Sequence, residues 1–388
     1  MKETISVTFT GDIGFSRYFK DSWQKKDLLD EKILAFCNDS DHVVANMEGS
    51  IIDPDKTEIK SDKTMFLHYT HAGACEHLKA MGADVWCLAN NHAMDIGDVG
   101  IQSTIRHAEL NGAVTVGGGK DLEEASAPVI LGEDAVGLIA LGYFPGCVAP
   151  EEDHGGVLNW KHEDLLEKRI KEVKETCKYC VILSHDGEEF TSLPQEYIRR
   201  RYKKYLEWGA DVIIGHHPHV PINYEKVGDK IIFYSLGNFI FDTDYQRAQM
   251  NTEVGVLVKL IFSEDGIDFT ALGTRNNREE NRLEAGDLPA IFAEVNDEEY
   301  KLLIPIASQA FIEAEKKRKR FVKPQQFGSY TEEDFKEYLL SDEKVRTEYI
   351  KDERMDFAYM YREAKRIKDG TWKESKLEAV KEYILKQL

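Results

Sequence analysis

VWCLANNHAMDIG, running from Val85 to Gly97, decides how this chain is read. Val85–Leu88 is a β-branched and aromatic run that predicts a buried strand. From Gly97 to Asn111 apolar residues recur at helical spacing. Two amides, a histidine and an aspartate stand between them: Asn90, Asn91, His92 and Asp95. Such residues have little packing value at a strand end. In open α/β sheets that pole is where ligands bind.

The same event recurs along the chain. Asp12 follows the strand candidate Ile5–Thr10 within T-G-D-I-G, and Glu48 follows His42–Asn46 within A-N-M-E-G. His185 follows Cys180–Ser184, and His217 and His219 follow Val212–Ile214 within G-H-H-P-H. Further strands are expected at Val136–Leu141, Ile231–Ser235, Glu253–Phe262 and Ile267–Gly273. Helices are expected at Asp27–Asn38, Thr70–Met81, Leu165–Thr176 and Gln195–Trp208. The alternation predicts an α/β architecture with parallel pairing. The last strands follow one another without helices, which favours a mixed sheet or two sheets face to face. From about Glu284 the chain turns rich in Glu, Lys, Arg, Leu and Tyr, so residues 1–283 are expected to form the main domain and 284–388 a helical extension. The basic run Lys316–Arg320 reads as a solvated helix face.

At 388 residues the chain can bury a sizeable core. Its formal net charge of −20 argues against nucleic acid or an anionic membrane as partner. Residues 1–9 read as a strand rather than a signal peptide, and no apolar run reaches membrane-spanning length. A cytoplasmic location is therefore expected. The six cysteines are scattered and do not form a disulfide framework; Cys177 and Cys180 read as ordinary thiols.

Carboxylate, amide and imidazole donors together suit two borderline-hard divalent cations, Mn²⁺, Fe²⁺ or Zn²⁺, and no cysteine enters the set. For His217 and His219, Pro218 disfavours helix, and an extended segment would turn both rings to one side.

Six motifs in order make the chain resemble the CapA family of poly-γ-glutamate capsule-synthesis proteins, a branch of the calcineurin-like metallophosphoesterases, over roughly residues 4–275. These are G-D-x-x-x-x-R (Gly11, Asp12, Arg17), N-x-E-G (Asn46, Glu48, Gly49) and N-N-H-x-x-D-x-G-x-x-G (Asn90 to Gly100). H-x-G-x-E (His185, Gly187, Glu189), H-P-H-V (His217 to Val220) and S-L-G-N-F-x-F (Ser235 to Phe241) follow. The resemblance implies a four-layer α/β/β/α sandwich with two metal ions. Asp12 and His219 would hold the first ion, Glu48 would bridge, and Asn91, His185 and His217 would hold the second. His92 would be the proton donor. Asp95 reads first as a helix cap, otherwise as support for His92. Arg17 reads equally as an anion clamp or as the partner of a surface acid. Arg199, Arg200 and Arg201 read as a solvated helix start.

Departures from the pattern bear on function. Gly14 stands where the superfamily usually has a metal-binding histidine, and Glu48 where it usually has aspartate. Asp186 and Phe190 replace the Trp and Tyr usual in the family. The resemblance implies a hydrolase whose metal-bound hydroxide attacks an amide or phosphoester, with a small-molecule, peptide or polyglutamate substrate. Two alternatives stay open: metal-assisted epimerisation at a peptide Cα, and a non-catalytic role in polymer synthesis.

Overall fold

The computed structural model describes residues 4–59, 67–133, 135–143, 146–190, 193–247, 249, 251–298 and 300–301. Two compact units are distinguished, one of residues 1–190 and 204–294, the other of 191–203 and 295–388.

In the first unit two sheets form the metallophosphoesterase-like α/β sandwich. The larger sheet runs Arg282–Gly286, Ile267–Asn277, Val254–Ser263, Thr4–Ile13, His42–Met47, Ala83–Cys87 and Val114–Val116, with Asn238–Ile240 pairing beside Thr4–Ile13. The second runs Pro221–Val227, Lys230–Leu236, Val212–His216, Tyr179–His185, Val136–Gly142 and Val129–Leu131. Side chains from both, among them Val7, Phe9, Val258, Leu138, Ile214 and Phe233, share one apolar core. The helices Cys75–Ala80 and Gly97–Leu110 pack on the larger sheet and Glu163–Thr176 on the second.

Thr4–Ile13, His42–Met47 and Ala83–Cys87 run parallel to one another. So do Val136–Gly142, Tyr179–His185, Val212–His216 and the start of Lys230–Leu236. Every residue of Val136–Gly142, Tyr179–His185 and Val212–His216 is buried, as their unbroken apolar runs predict. Parallel strands put their carboxyl ends at one pole, where the polar motifs fall.

All nine expected strands are present. The expected helix at Thr70 begins instead as the strand Tyr69–His71, paired with Ser50–Ile52; a 3-10 turn follows at Ala72–Ala74 and the α-helix starts at Cys75. Arg282–Gly286 carries the larger sheet past the boundary expected at residue 283. The expected helical extension lies, beyond residue 301, outside the described residues, as does Lys316–Arg320. All six cysteines are free and buried, and burial pushes the Cys37, Cys75 and Cys87 thiols up to about 12.

In the second unit Arg199 pairs with Asp297 and lies 4.3 Å from the Tyr300 ring centroid. Arg199 and Arg201 are buried, which corrects the reading of this triplet as a solvated helix start; Arg200 alone is exposed.

Candidate metal centre

The pole is built by close backbone approach. At Gly11 a Cβ would lie 2.2 Å from the Gly237 carbonyl oxygen, so only glycine lets Asn238–Ile240 run beside the end of the first strand. Asp12 N then donates to that carbonyl at 2.9 Å, and Asp12 registers with Asn238. Asn46, at the end of the neighbouring strand, donates from Nδ2 to Asp12 Oδ1 at 2.7 Å and fixes the carboxylate.

Asn90 and Asn91 divide their labour. Asn90 is scaffold: its Oδ1 accepts from Gly49 N and His92 N, and its Nδ2 donates to Met47 O and Leu88 O. It thus ties the loop bearing Glu48 to the loop bearing His92. Asn91 is aimed outward, accepting at Oδ1 from His185 Nε2 at 2.9 Å.

Around this scaffold the expected donors meet. His219 Nδ1 donates to Asn238 Oδ1 at 3.0 Å and lies 3.1 Å from Asp12 Oδ2, while its Nε2 lies 3.6 Å from Glu48 Oε1. The His185 and His217 rings are 4.9 Å apart at their centroids, and those of His217 and His219 6.0 Å. His92 Nε2 faces Glu48 Oε1 at 3.9 Å, with Nδ1 bonded to Asp95 Oδ2 at 2.8 Å. Asp12, Glu48, Asn91, His92, Asp95, His185, His217 and His219 therefore occupy one cluster.

Two expectations need correction in detail. His217 and His219 do not face the cluster from an extended segment: both have positive φ, 94° and 58°. The peptide turns through left-handed conformations, uncommon for non-glycine residues and typical of functional sites. Asp95 does not cap the helix Gly97–Leu110, whose cap residue is Ile96; its carboxylate holds His92 and accepts from His68 N at 2.8 Å. Of the two readings of Arg17, the pair with a surface acid is the one found: its Nε donates to Asp244 Oδ2 at 2.7 Å, with 62% of its side chain exposed.

Gly14 has a steric cause. A Cβ there would meet Phe241 Cε2 at 2.5 Å, because the Phe241 ring fills the space a side chain at position 14 would need. The same ring stacks on His219 at 5.0 Å and approaches His68 at 5.2 Å. Residue reading alone passed over His68, which is buried, bonds Ser16 Oγ through Nδ1 at 2.7 Å and meets His92 edge-on at 4.2 Å. It lies outside every motif, so no local signal marked it.

Electrostatically the cluster is poised. Burial alone would raise the Asp12 carboxyl, but the hydrogen bond and charge of His219, aided by His216 and His217, hold it below its ordinary value. Burial pushes Glu48 well up; His219 opposes, and Asp12, Glu189 and Asp95 add to the rise. Burial and the neighbouring imidazoles, His217 first, keep His185 well below the usual histidine range. For His219 burial is outweighed by Glu48 and Asp12, which lift it to about 10.

The donor set fits a divalent cation. Glu48 is 1% exposed, and neither of its carboxylate oxygens has a hydrogen-bond partner among the described residues; nor has His185 Nδ1. An unsatisfied buried carboxylate is too costly to retain without a compensating charge. Asp12, Glu48 and His219 offer ligand atoms within 4.8 Å of one another, and so do Glu189, His217 and His219.

Residues 6–243 match the family described as bacterial capsule synthesis protein PGA_cap. The chain belongs to this capsule synthesis family. The match contains every donor from Asp12 to Asn238. The capsule biosynthesis protein CapA of Bacillus anthracis is 30% identical over 258 residues, 64% of this chain and 62% of that protein. The PGA biosynthesis protein CapA of Bacillus subtilis strain 168 is 31% identical over 253 residues, 64% of this chain and 66% of that protein. The chain thus spans slightly less than two thirds of these family members. A hypothetical protein from Thermus thermophilus superposes with a TM-score of 0.42 at 14% identity, over 69% of this chain and 99% of that one. Among the described residues of this family member, no helix is long and apolar enough to cross a membrane.

Proposed function

We propose that this family member is a metal-dependent hydrolase that cleaves a γ-glutamyl amide bond of a peptide or polyglutamate substrate. The observation that carries the reading is Glu48, a buried carboxylate neither of whose oxygens has a hydrogen-bond partner among the described residues, set among imidazoles and acids. Two divalent cations would be held there, the first by Asp12 and His219, the second by Asn91, His185 and His217, with Glu48 available to both. Bound cations would supply Lewis acidity, making water a nucleophile at neutral pH and neutralising charge on the substrate oxyanion. Mn²⁺ and Fe²⁺ suit this oxygen-rich, thiolate-free set. The names of the Bacillus relatives support a place in poly-γ-glutamate capsule synthesis.

The chain's own residues complete the reaction. His92 keeps Nδ1 on Asp95, which orients the ring, and turns Nε2 to the Glu48 side. Protonated, it donates from Nε2 to the leaving nitrogen, a contribution of about 10²–10⁴ in rate. Buried His185 stays neutral, the form in which imidazole binds metal.

The test is metal analysis of the purified protein, then turnover of γ-glutamyl peptides and p-nitrophenyl phosphate with added Mn²⁺. Expected are two equivalents of metal and amide cleavage lost in His92→Ala and His217→Ala. Solvent deuterium entering Cα without cleavage, or a metal-free protein that merely binds polymer, overturns the proposal.

A further inference from the structure

Position 14 withholds a ligand, and Phe241 occludes the space from which one could come. A metal centre with that gap needs another donor, and the loop after His185 provides a candidate. The strand Tyr179–His185 ends in Asp186-Gly187-Glu188-Glu189-Phe190, and this loop is bound to the turn that carries the two late imidazoles. Asp186 N donates to His216 O at 3.1 Å, and Phe190 N to Pro218 O at 2.8 Å. Gly187 takes φ +103°, and a Cβ there would touch Pro218 at 3.4 Å. The Phe190 ring stacks on His219 at 5.9 Å and 27°, and Phe190 itself has φ +63°. Left-handed residues thus shape both segments, and strain of this kind persists only where the surroundings enforce it. Between these anchors stands Glu189.

Resting on the two-cation reading above, we propose that Glu189 is a metal ligand of the centre, supplying the donor that position 14 does not. Its carboxylate, a His217 ring nitrogen and a His219 ring nitrogen all lie within 4.8 Å of one another. His219 also belongs to the group with Asp12 and Glu48, so Glu189 adjoins both halves of the centre through a shared imidazole. The fields at Glu48 and His219 agree, since the Glu189 charge raises both. A third carboxylate beside Asp12 and Glu48 makes the set more anionic and harder, which favours Mn²⁺ over softer competitors.

The experiment is Mn²⁺ titration of the full chain after chelator stripping, by calorimetry and by metal analysis after gel filtration. Glu189→Gln, Glu189→Asp and Glu151→Gln are compared with the parent. Glu151 belongs to the separate, more exposed group with Asp153 and His154, so its variant controls for unspecific loss of acid. Expected is loss of one Mn²⁺ equivalent, or at least a tenfold weaker Kd, in Glu189→Gln. Glu189→Asp should recover part of the affinity, and Glu151→Gln should match the parent. Thermal melting of the stripped variants checks folding: Glu189→Gln should melt as the stripped parent does and gain less from added Mn²⁺. If the parent binds two Mn²⁺ and Glu189→Gln binds both within twofold, Glu189 is no ligand and the two-cation reading stands. If the parent binds none, both fall.

Discussion

His216 Nε2 donates to the Thr10 carbonyl oxygen at 2.9 Å, joining the second sheet to the first two residues ahead of Asp12. The carbonyl can only accept, so the proton sits on Nε2. Burial holds this imidazole below its usual pKa and so favours the neutral form. His216 pairs in register with His185 and directly precedes His217. One bond therefore aligns the carboxyl ends of two sheets that carry different donors.

Removing that bond should be felt in stability before chemistry. His216→Ala leaves a buried carbonyl unsatisfied and opens a small void, at a cost of about 2–3 kcal/mol. Urea unfolding of the metal-free protein checks this. A loss below about 0.5 kcal/mol would mean that the sheets are aligned by packing alone.

Introducing a side chain at position 14 should fail unless Phe241 is cut back. Gly14→Ala forces a Cβ against the ring and should destabilise by about 1–3 kcal/mol. With Phe241→Ala also present the two costs should be less than additive, since the residues share one space. Thermal melts of the two single variants and the double variant give the coupling; strict additivity would refute the steric account of Gly14.

Between pH 7 and 10 the metal-free protein should lose stability. In the folded state Glu48 is raised well above its ordinary pKa of 4.5, and His219 is raised from 6.5 to about 10. The unfolded chain has released most of the His219 proton by pH 7 while the folded state keeps it to about 10, so stability falls as pH rises over this range; the raised Glu48 acts with the same sign. Asp12 and His185 are lowered and act in acid, outside this window. Cation binding must expel the retained protons, so apparent metal affinity should rise over the same range. Calorimetry in two buffers of different ionisation enthalpy measures the release, and zero protons released at pH 7.5 would contradict the assignment.

Asp95→Asn should separate positioning from ligation. The amide holds the His92 ring less firmly than the carboxylate bonded to its Nδ1, so turnover should fall about 10–100-fold with Mn²⁺ binding nearly unchanged. A fall in metal affinity equal to the fall in rate would instead make Asp95 part of the metal site.

Much of this was legible in the residues. Buried parallel strands have unbroken apolar runs, so Val136–Gly142 and Tyr179–His185 announce themselves, and the histidine that ends the second marks the pole. Shape was not legible where one residue yields to a distant one. Gly14 reads as a missing ligand, yet its cause is Phe241. His217 and His219 share a cluster through left-handed φ values that spacing cannot disclose. Asp95 matches a helix cap by position, and only tertiary contact shows it turned to His92. Asn238–Ile240 is too short for periodicity to reveal, and its place depends on the contact of Gly11 with Gly237.

The donors in the cluster come from five strand ends, and Thr10 and His216, neighbours in space, are separated by 206 positions. Closing so long a loop costs chain entropy that local helices cannot repay, and such contacts form late in folding. No short fragment carries the cluster, and a nascent chain has no place for the cations until the strand bearing Asn238 has been made. On the proposed two-cation reading, metal uptake reports completed folding.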